Sequence, residues 1–295
     1  MGGREILKHW RLVFIAILII LGAIYRKEAE NIARIVVSAP LWLFLVAFAS
    51  VFIEFCLQAL RMYLVFKKGF GETLRAYAVG HFVAFSFPSR TLGEGARIGA
   101  LARELGVKTT EMAAYVSVER LMDMLVIATA AAGILYTISL PAAILVAFAI
   151  VGGFSLFLLN AIPKKAKSRL PLAVREYIDH GQKILRKKRL SVTLLVITAL
   201  LWAIDFFRMW IILWGMGARI PYPAVAALVS LAYILAVLSF LPGGLGAYES
   251  GLIGGLVLKG VSVDIATAAT LYERFFSYWL WIIVGALAGA SGKGK

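Results

Sequence analysis

The sequence predicts an all-α polytopic membrane protein, with about six transmembrane helices and two re-entrant helical hairpins arranged as an inverted repeat. Three observations predict it. Apolar residues fill 61% of the 295 positions, and several apolar runs approach the ~20 residues that cross a bilayer. Two of these runs are interrupted midway by proline and glycine, at Pro88 and at Pro242. The segments around the interruptions repeat each other. The ungapped shift that carries Pro88 onto Pro242 also carries Gly106 onto Gly260, Val107 onto Val261, Glu119 onto Glu273 and Arg120 onto Arg274.

A further match, Arg61-Met62-Tyr63 with Arg208-Met209-Trp210, precedes each copy. The repeated unit is therefore helix, broken element, helix, occupying residues 41–137 and 191–290 of a single membrane domain that covers 1–295.

Taken in order, Trp10 to Tyr25 reads as a retained first helix, because no small-residue cleavage site follows it before Arg26 and Lys27. Arg26 to Ser38 alternates charged and apolar residues and lies along the interface. Leu41 to Phe66 is a full span. From Glu72 to Leu105 the apolar segment is interrupted between Pro88 and Arg97, which leaves two halves too short to cross and predicts a re-entrant hairpin. Thr110 to Thr137 is a span and Pro141 to Asn160 its return. Residues 164–190 form a basic loop, Ser191 to Met216 crosses again, Tyr222 to Leu258 is the second broken element, and Asp264 to Ala290 is the last span.

Charge sets the orientation. Lysine and arginine number 31 against 16 acids, a net charge of +15. Most of the excess falls in the N-terminus, the 164–190 loop, the C-terminus and the flanks of the first hairpin, all cytoplasmic under the positive-inside rule. Only Arg26, Lys27, Arg34, Arg219 and Lys259 fall on the far side. The first hairpin then dips from the cytoplasm and the second from outside, so the repeats are inverted. The predicted location is the cell membrane.

Several function classes are excluded. The basic charge gathers beside spans, with no soluble domain to present a groove, so nucleic acid is not the partner. Cys56 is the sole cysteine, and His9, His81 and His180 are too scattered for a metal site. The Gly243–Gly246 cluster lacks the Lys-Ser/Thr and the preceding strand of a nucleotide loop. No cofactor is expected.

The candidate site comes from charges at membrane depth, each costing roughly 2.5–3.5 kcal/mol at a helix centre when unpaired. The arginines are Arg61, Arg90, Arg97, Arg120, Arg208 and Arg274; the acids are Glu54, Glu94, Glu119, Asp123, Asp205, Glu249 and Glu273. Near-equal numbers predict pairing around a shared polar interior. Glu54 and Arg61 share a helical face, as do Arg120 and Asp123. Arg90, Glu94, Arg97 and Glu249 stand where helices break and backbone N–H groups can face an anion, as do Pro242, Gly243, Gly244 and Gly246. Glu119, Arg120, Glu273 and Arg274 serve either the site or only helix packing.

Pro88-Ser89, Gly93-Glu94, Arg97, Glu119-Arg120, then Leu241-Pro242-Gly243-Gly244-Leu245-Gly246 with Glu249 and Glu273-Arg274 form a pattern that resembles the transmembrane region of lysylphosphatidylglycerol synthases, a flippase-like family. The resemblance covers about Leu41 to Ala290 and implies movement of a lipid with a charged headgroup between leaflets. The soluble domain that transfers lysine in that family has no counterpart before Lys295, so a transporter is expected rather than an enzyme. The expected partners are membrane lipids with anionic headgroups, phospholipid or polyprenyl phosphate. Two other readings stay open: an intramembrane enzyme acting on a lipid-linked phosphate or glycan donor, and a small-solute or ion symporter.

Overall fold

A computed structural model describes residues 26–87, 90–138, 170–239 and 244–290. The expected first helix, the return span from Pro141 to Asn160 and the extreme C-terminus lie outside the described residues. Among the described residues the secondary structure is helical throughout, in eleven α-helices and one π-helical turn. They are α1 (Arg26–Val37), α2 (Leu41–Phe66), α3 (Phe70–Ser86), α4 (Arg90–Leu105), α5 (Thr109–Ile138), α6 (Leu172–Arg186), α7 (Lys188–Gly215), α8 (Tyr222–Leu238), α9 (Ala247–Leu258), α10 (Val263–Arg274), the π turn Phe275–Trp279 and α11 (Leu280–Ala290).

The chain runs twice through the same order. A long helix, α2 or α7, leads into a hairpin of short helices, α3–α4 or α8–α9, and then a second long element, α5 or α10–π–α11. Hairpin helices of 12 to 17 residues span about 18–25 Å at 1.5 Å per residue, short of a bilayer's hydrocarbon core. The packing follows the duplication. The first hairpin's α3 packs on α11 of the second unit, the second hairpin's α8 packs on α5 of the first, and α2 packs on α7.

Alpha helix α2 shows how sequence sets this packing. Pro40 precedes it in an extended conformation, 26 residues without glycine or proline carry it, and Lys67 ends it in a left-handed conformation with its N–H bonded to the Tyr63 carbonyl. Its buried residues Leu43, Ala47, Ser50, Val51, Glu54, Arg61 and Met62 recur at helical spacing and form one stripe. On the opposite side Leu41, Leu45, Phe48 and Phe52 are exposed. In α7, Thr198 and Arg208 are buried while Val192, Val196, Leu200 and Phe207 are exposed. Charge inside and large apolar side chains outside is the arrangement that suits lipid, where a charge must find an internal partner.

The repeated glycines have a repeated job. Gly106 ends α4 at φ 60° and Gly260 ends α9 at φ 86°. In each case two N–H groups bond back to the closing turn: Val107 to Ala102 and Gly106 to Arg103, and Val261 to Leu256 and Gly260 to Val257. This is a Schellman cap, and its left-handed position favours glycine. The match of Gly106 with Gly260 is thus a match of helix terminators.

Three boundaries differ from expectation. The first hairpin's interruption is narrower than Pro88 to Arg97: helix resumes at Arg90, so Glu94 and Arg97 lie inside α4. The basic segment 164–190 is mostly helical from Leu172 onward, since Ile178, Gln182 and Ile184 form a buried face against α5 while its charges point out. The last span is not a uniform α-helix but carries the π turn directly after Glu273-Arg274. Across that turn Leu280 N–H bonds to the Phe275 carbonyl five residues back, which shifts the facing of everything beyond it.

Candidate functional site

The buried charges meet in two copies of one ion-pair arrangement. In the first unit Arg61 of α2 lies 3.1 Å from Glu119 of α5; in the second, Arg208 of α7 lies 3.3 Å from Glu273 of α10. In the first unit Arg120 reaches Glu94 of the hairpin at 2.7 Å; in the second, Arg274 reaches Glu249 of the other hairpin at 2.6 Å. Arg61 and Arg208, Glu119 and Glu273, and Arg120 and Arg274 correspond in sequence and make corresponding contacts, whereas Glu249 takes the role of Glu94 from one position further along its hairpin. The inner pairs are almost wholly buried, with side-chain exposures of 2% or less, whereas Arg120 and Glu94 are 31% and 27% exposed.

Around this core the two halves differ. Arg97 of α4 donates to Glu94 and Glu119, each at 3.1 Å, and its guanidinium lies 5.4 Å from the Tyr77 ring. Asp123 accepts from Arg61 at 3.1 Å and from Arg120 at 3.3 Å, with the Trp202 indole at 3.4 Å. The Thr198 hydroxyl accepts from Arg61 at 2.9 Å and ties α7 to this half. In the second half Arg208 also donates to Glu54 of α2 and to Asp205, one turn earlier on its own helix. Arg274 is covered by the Tyr248 ring at 4.2 Å, and the Tyr248 hydroxyl lies 3.5 Å from Glu273.

These groups border a cavity of about 150 Å³ between the two units. Arg61, Arg120 and Asp123 face it from one side, and Arg208, Glu273 and Arg274 from the other. The volume is far above the ~10–15 Å³ that holds one water. Aromatic rings complete the wall. His81 stacks between Tyr77 and Trp281 with ring centroids at 4.4 and 5.0 Å, and its Nδ1 lies 3.2 Å from the Tyr77 carbonyl. It is held as structure by that bond and those rings.

Of the residues expected at the site, Arg61, Glu94, Arg97, Glu119, Arg120 and Asp123 converge in the first half, and Arg208, Glu249, Glu273 and Arg274 in the second. Arg90 opens α4, and its side chain, like Pro242 and Gly243, lies outside the described residues. The glycine loop is not an open anion cradle at Gly246, whose N–H already donates to Glu249 at 2.6 Å as α9 begins. Gly244 adopts φ 70° and packs against Ala236, so its conformation and close approach call for glycine. Glu54 faces Arg208 across the two units rather than Arg61 on its own helix.

Sequence reading placed Glu54 and Asp205 at membrane depth but not at the site, and it missed the aromatic wall of Tyr77, Trp202, Tyr248 and Trp281. A signal for Asp205 was present: it precedes Arg208 by three residues, one helical turn.

The lysylphosphatidylglycerol synthase TM region family matches residues 10–285. The chain belongs to this family. Among curated relatives, a UPF0104 membrane protein of Methanothermobacter thermautotrophicus is 29% identical over 125 residues, 42% of this chain and 37% of the relative. A second from the same organism is 26% identical over 127 residues, 43% of this chain and 38% of the relative. UPF0104 membrane protein PH1989 of Pyrococcus horikoshii is 28% identical over 124 residues, 42% of this chain and 37% of the relative. The match thus spans less than two fifths of the length of these relatives. Family membership makes this a membrane protein, in accord with its helical architecture and its apolar exterior. Among the described residues α2 and α7 are long and apolar enough to cross a membrane by themselves. The 30-residue α5 is longer, but it carries Glu119, Arg120 and Asp123.

Proposed function

We propose that this protein is a lipid flippase or transporter that carries a lipid with an anionic headgroup between leaflets of the cell membrane, and that it is not an enzyme. In this reading α3–α4 and α8–α9 are re-entrant hairpins entering from opposite faces, within about six full spans. The N-terminus, the 164–190 segment and the C-terminus are cytoplasmic.

One observation carries the reading. Arg120–Glu94 and Arg274–Glu249, one pair per unit, each tie a hairpin to the helix that follows it beside a shared cavity. A phosphate that exchanges for Glu94 and Glu249 on the two guanidiniums gains charge-assisted hydrogen bonds and unlatches both hairpins together. Headgroup occupancy then shifts the balance between cavity openings, because the ligand interacts differently with latched and unlatched states. The acyl chains stay in lipid beside the apolar outer faces.

The test is transbilayer movement in liposomes containing the purified protein, using labelled phosphatidylglycerol and a labelled polyprenyl phosphate. Movement of either above protein-free liposomes is expected, with loss in Arg120→Gln and Arg274→Gln. Folded protein that moves neither overturns the reading. A product appearing in the extracted lipids would point instead to enzymatic processing of a lipid-linked donor, and uptake of a small solute to a symporter.

A further inference from the structure

The two copies of the ion-pair arrangement do not carry the same charge. In the first half Arg61, Arg97 and Arg120 contact Glu94, Glu119 and Asp123, a balanced set. In the second half, among the described residues, only Arg208 and Arg274 contact Glu54, Asp205, Glu249 and Glu273. The repeat explains the difference. The shift that superposes the hairpins puts Gly251 where Arg97 stands, so a guanidinium is lost from the second copy. The same shift puts Ser277 where Asp123 stands, so a carboxylate is lost, while the Arg61–Arg208 match puts Asp205 where Gln58 stands and Glu54 reaches Arg208 from the first unit, so two are gained.

Both gained carboxylates fall on one place. Glu54, Asp205 and Glu273 all contact Arg208, and all four line the cavity. Arg208 is 0% exposed, and its Nε, buried in the same cluster, has no hydrogen-bond partner. Two negative charges in excess around one buried guanidinium are not sustained in a low-dielectric interior; they are met by uptake of positive charge. Among the described residues no group of acids and histidines has the geometry to hold a metal ion. We infer that the Glu54–Asp205 pair at Arg208 is a proton-binding site, loaded from the cavity. The charged and titratable groups facing it are Arg208 on α7, Tyr248 on α9, Glu273 and Arg274 on α10 and Tyr222 at the start of α8. As a coupling site it rests on the transport reading, since protons taken up there would travel with each cavity reorientation; as a proton site it does not.

The experiment is infrared difference spectroscopy of the full chain in nanodiscs, titrated from about pH 9 to about pH 5, read at the carbonyl stretch of protonated carboxylic acids. A protonated-carboxyl band is expected in this range for the wild type. It is expected to fall by about half in Asp205→Asn or Glu54→Gln, to vanish in the double variant, and to persist in Glu94→Gln, which alters the balanced half. The single variants keep the side-chain shapes and serve if the double variant does not fold. No band, or a band that survives the double variant, overturns the assignment. Flipping that proceeds without the band removes the proton site and leaves the transport reading, whereas the band without flipping removes the transport reading, and the coupling role with it, and leaves the proton site.

Discussion

Glu249 lies 2.6 Å from Arg274, one residue on the second hairpin and the other on the helix that follows it. Glu249 also accepts the Gly246 N–H, so the same carboxylate starts helix α9 and fastens it to α10. Breaking this contact should affect movement of the hairpin before it affects the fold. Glu249→Gln is expected to slow flipping about tenfold, the rate equivalent of ~1.4 kcal/mol. The reversed pair Glu249→Arg with Arg274→Glu should recover part of the rate. Labelled-lipid flipping, with folding checked by gel filtration, measures both.

The inner pairs should behave differently. Removing one member of a buried pair leaves the other charge without compensation, so Arg61→Gln is expected to destabilise the protein by about 3–5 kcal/mol. Arg120→Gln, whose side chain is 31% exposed, should cost much less while still impairing transport. Thermal unfolding in detergent separates the two.

Gly106 and Gly260 give a backbone prediction. Each sits at positive φ, where a residue with Cβ costs about 1–2 kcal/mol. Gly106→Ala and Gly260→Ala should each lower the unfolding temperature by a similar amount, and the double variant should show nearly the sum, since the two caps share no partners.

The docking of α6 gives a pH prediction. Lys108 donates to Glu176 at 2.7 Å and Thr110 to the same carboxylate at 3.0 Å. The hydrogen bond from Lys108 lowers the Glu176 pKa, and its counterpart raises that of Lys108. A lowered carboxyl contributes stability above its ordinary value and loses it as pH falls through the lowered one. A raised ammonium contributes until pH rises through the raised value. Amide protection of α6, taken relative to the intrinsic exchange rate at each pH, should therefore be flat through neutral pH and fall at both extremes, and added salt should lower it at neutral pH because the pair is exposed.

The long helices and both hairpins were legible because apolar run length and proline-glycine interruptions are local signals. Gly106 with Gly260, and Glu119-Arg120 with Glu273-Arg274, exposed the duplication, and the contacts of Arg61 and Arg208 follow it. Contacts between the halves were not legible. Glu54 shares a face with Arg61 yet pairs with Arg208, a choice made by how α2 packs on α7. The π turn after Arg274 was equally hidden, since Phe275 to Trp279 has the composition of an ordinary apolar helix. The helical part of 164–190 was masked by its charge, although Ile178 and Ile184 carry a helical face.

The exchange of partners, α3 on α11 and α8 on α5, has a mechanical outcome. Each half holds the other's hairpin in its grip, so a hairpin cannot swing without dragging the opposite half's closing helix. The two hairpins are geared together, each through the other half's last helix.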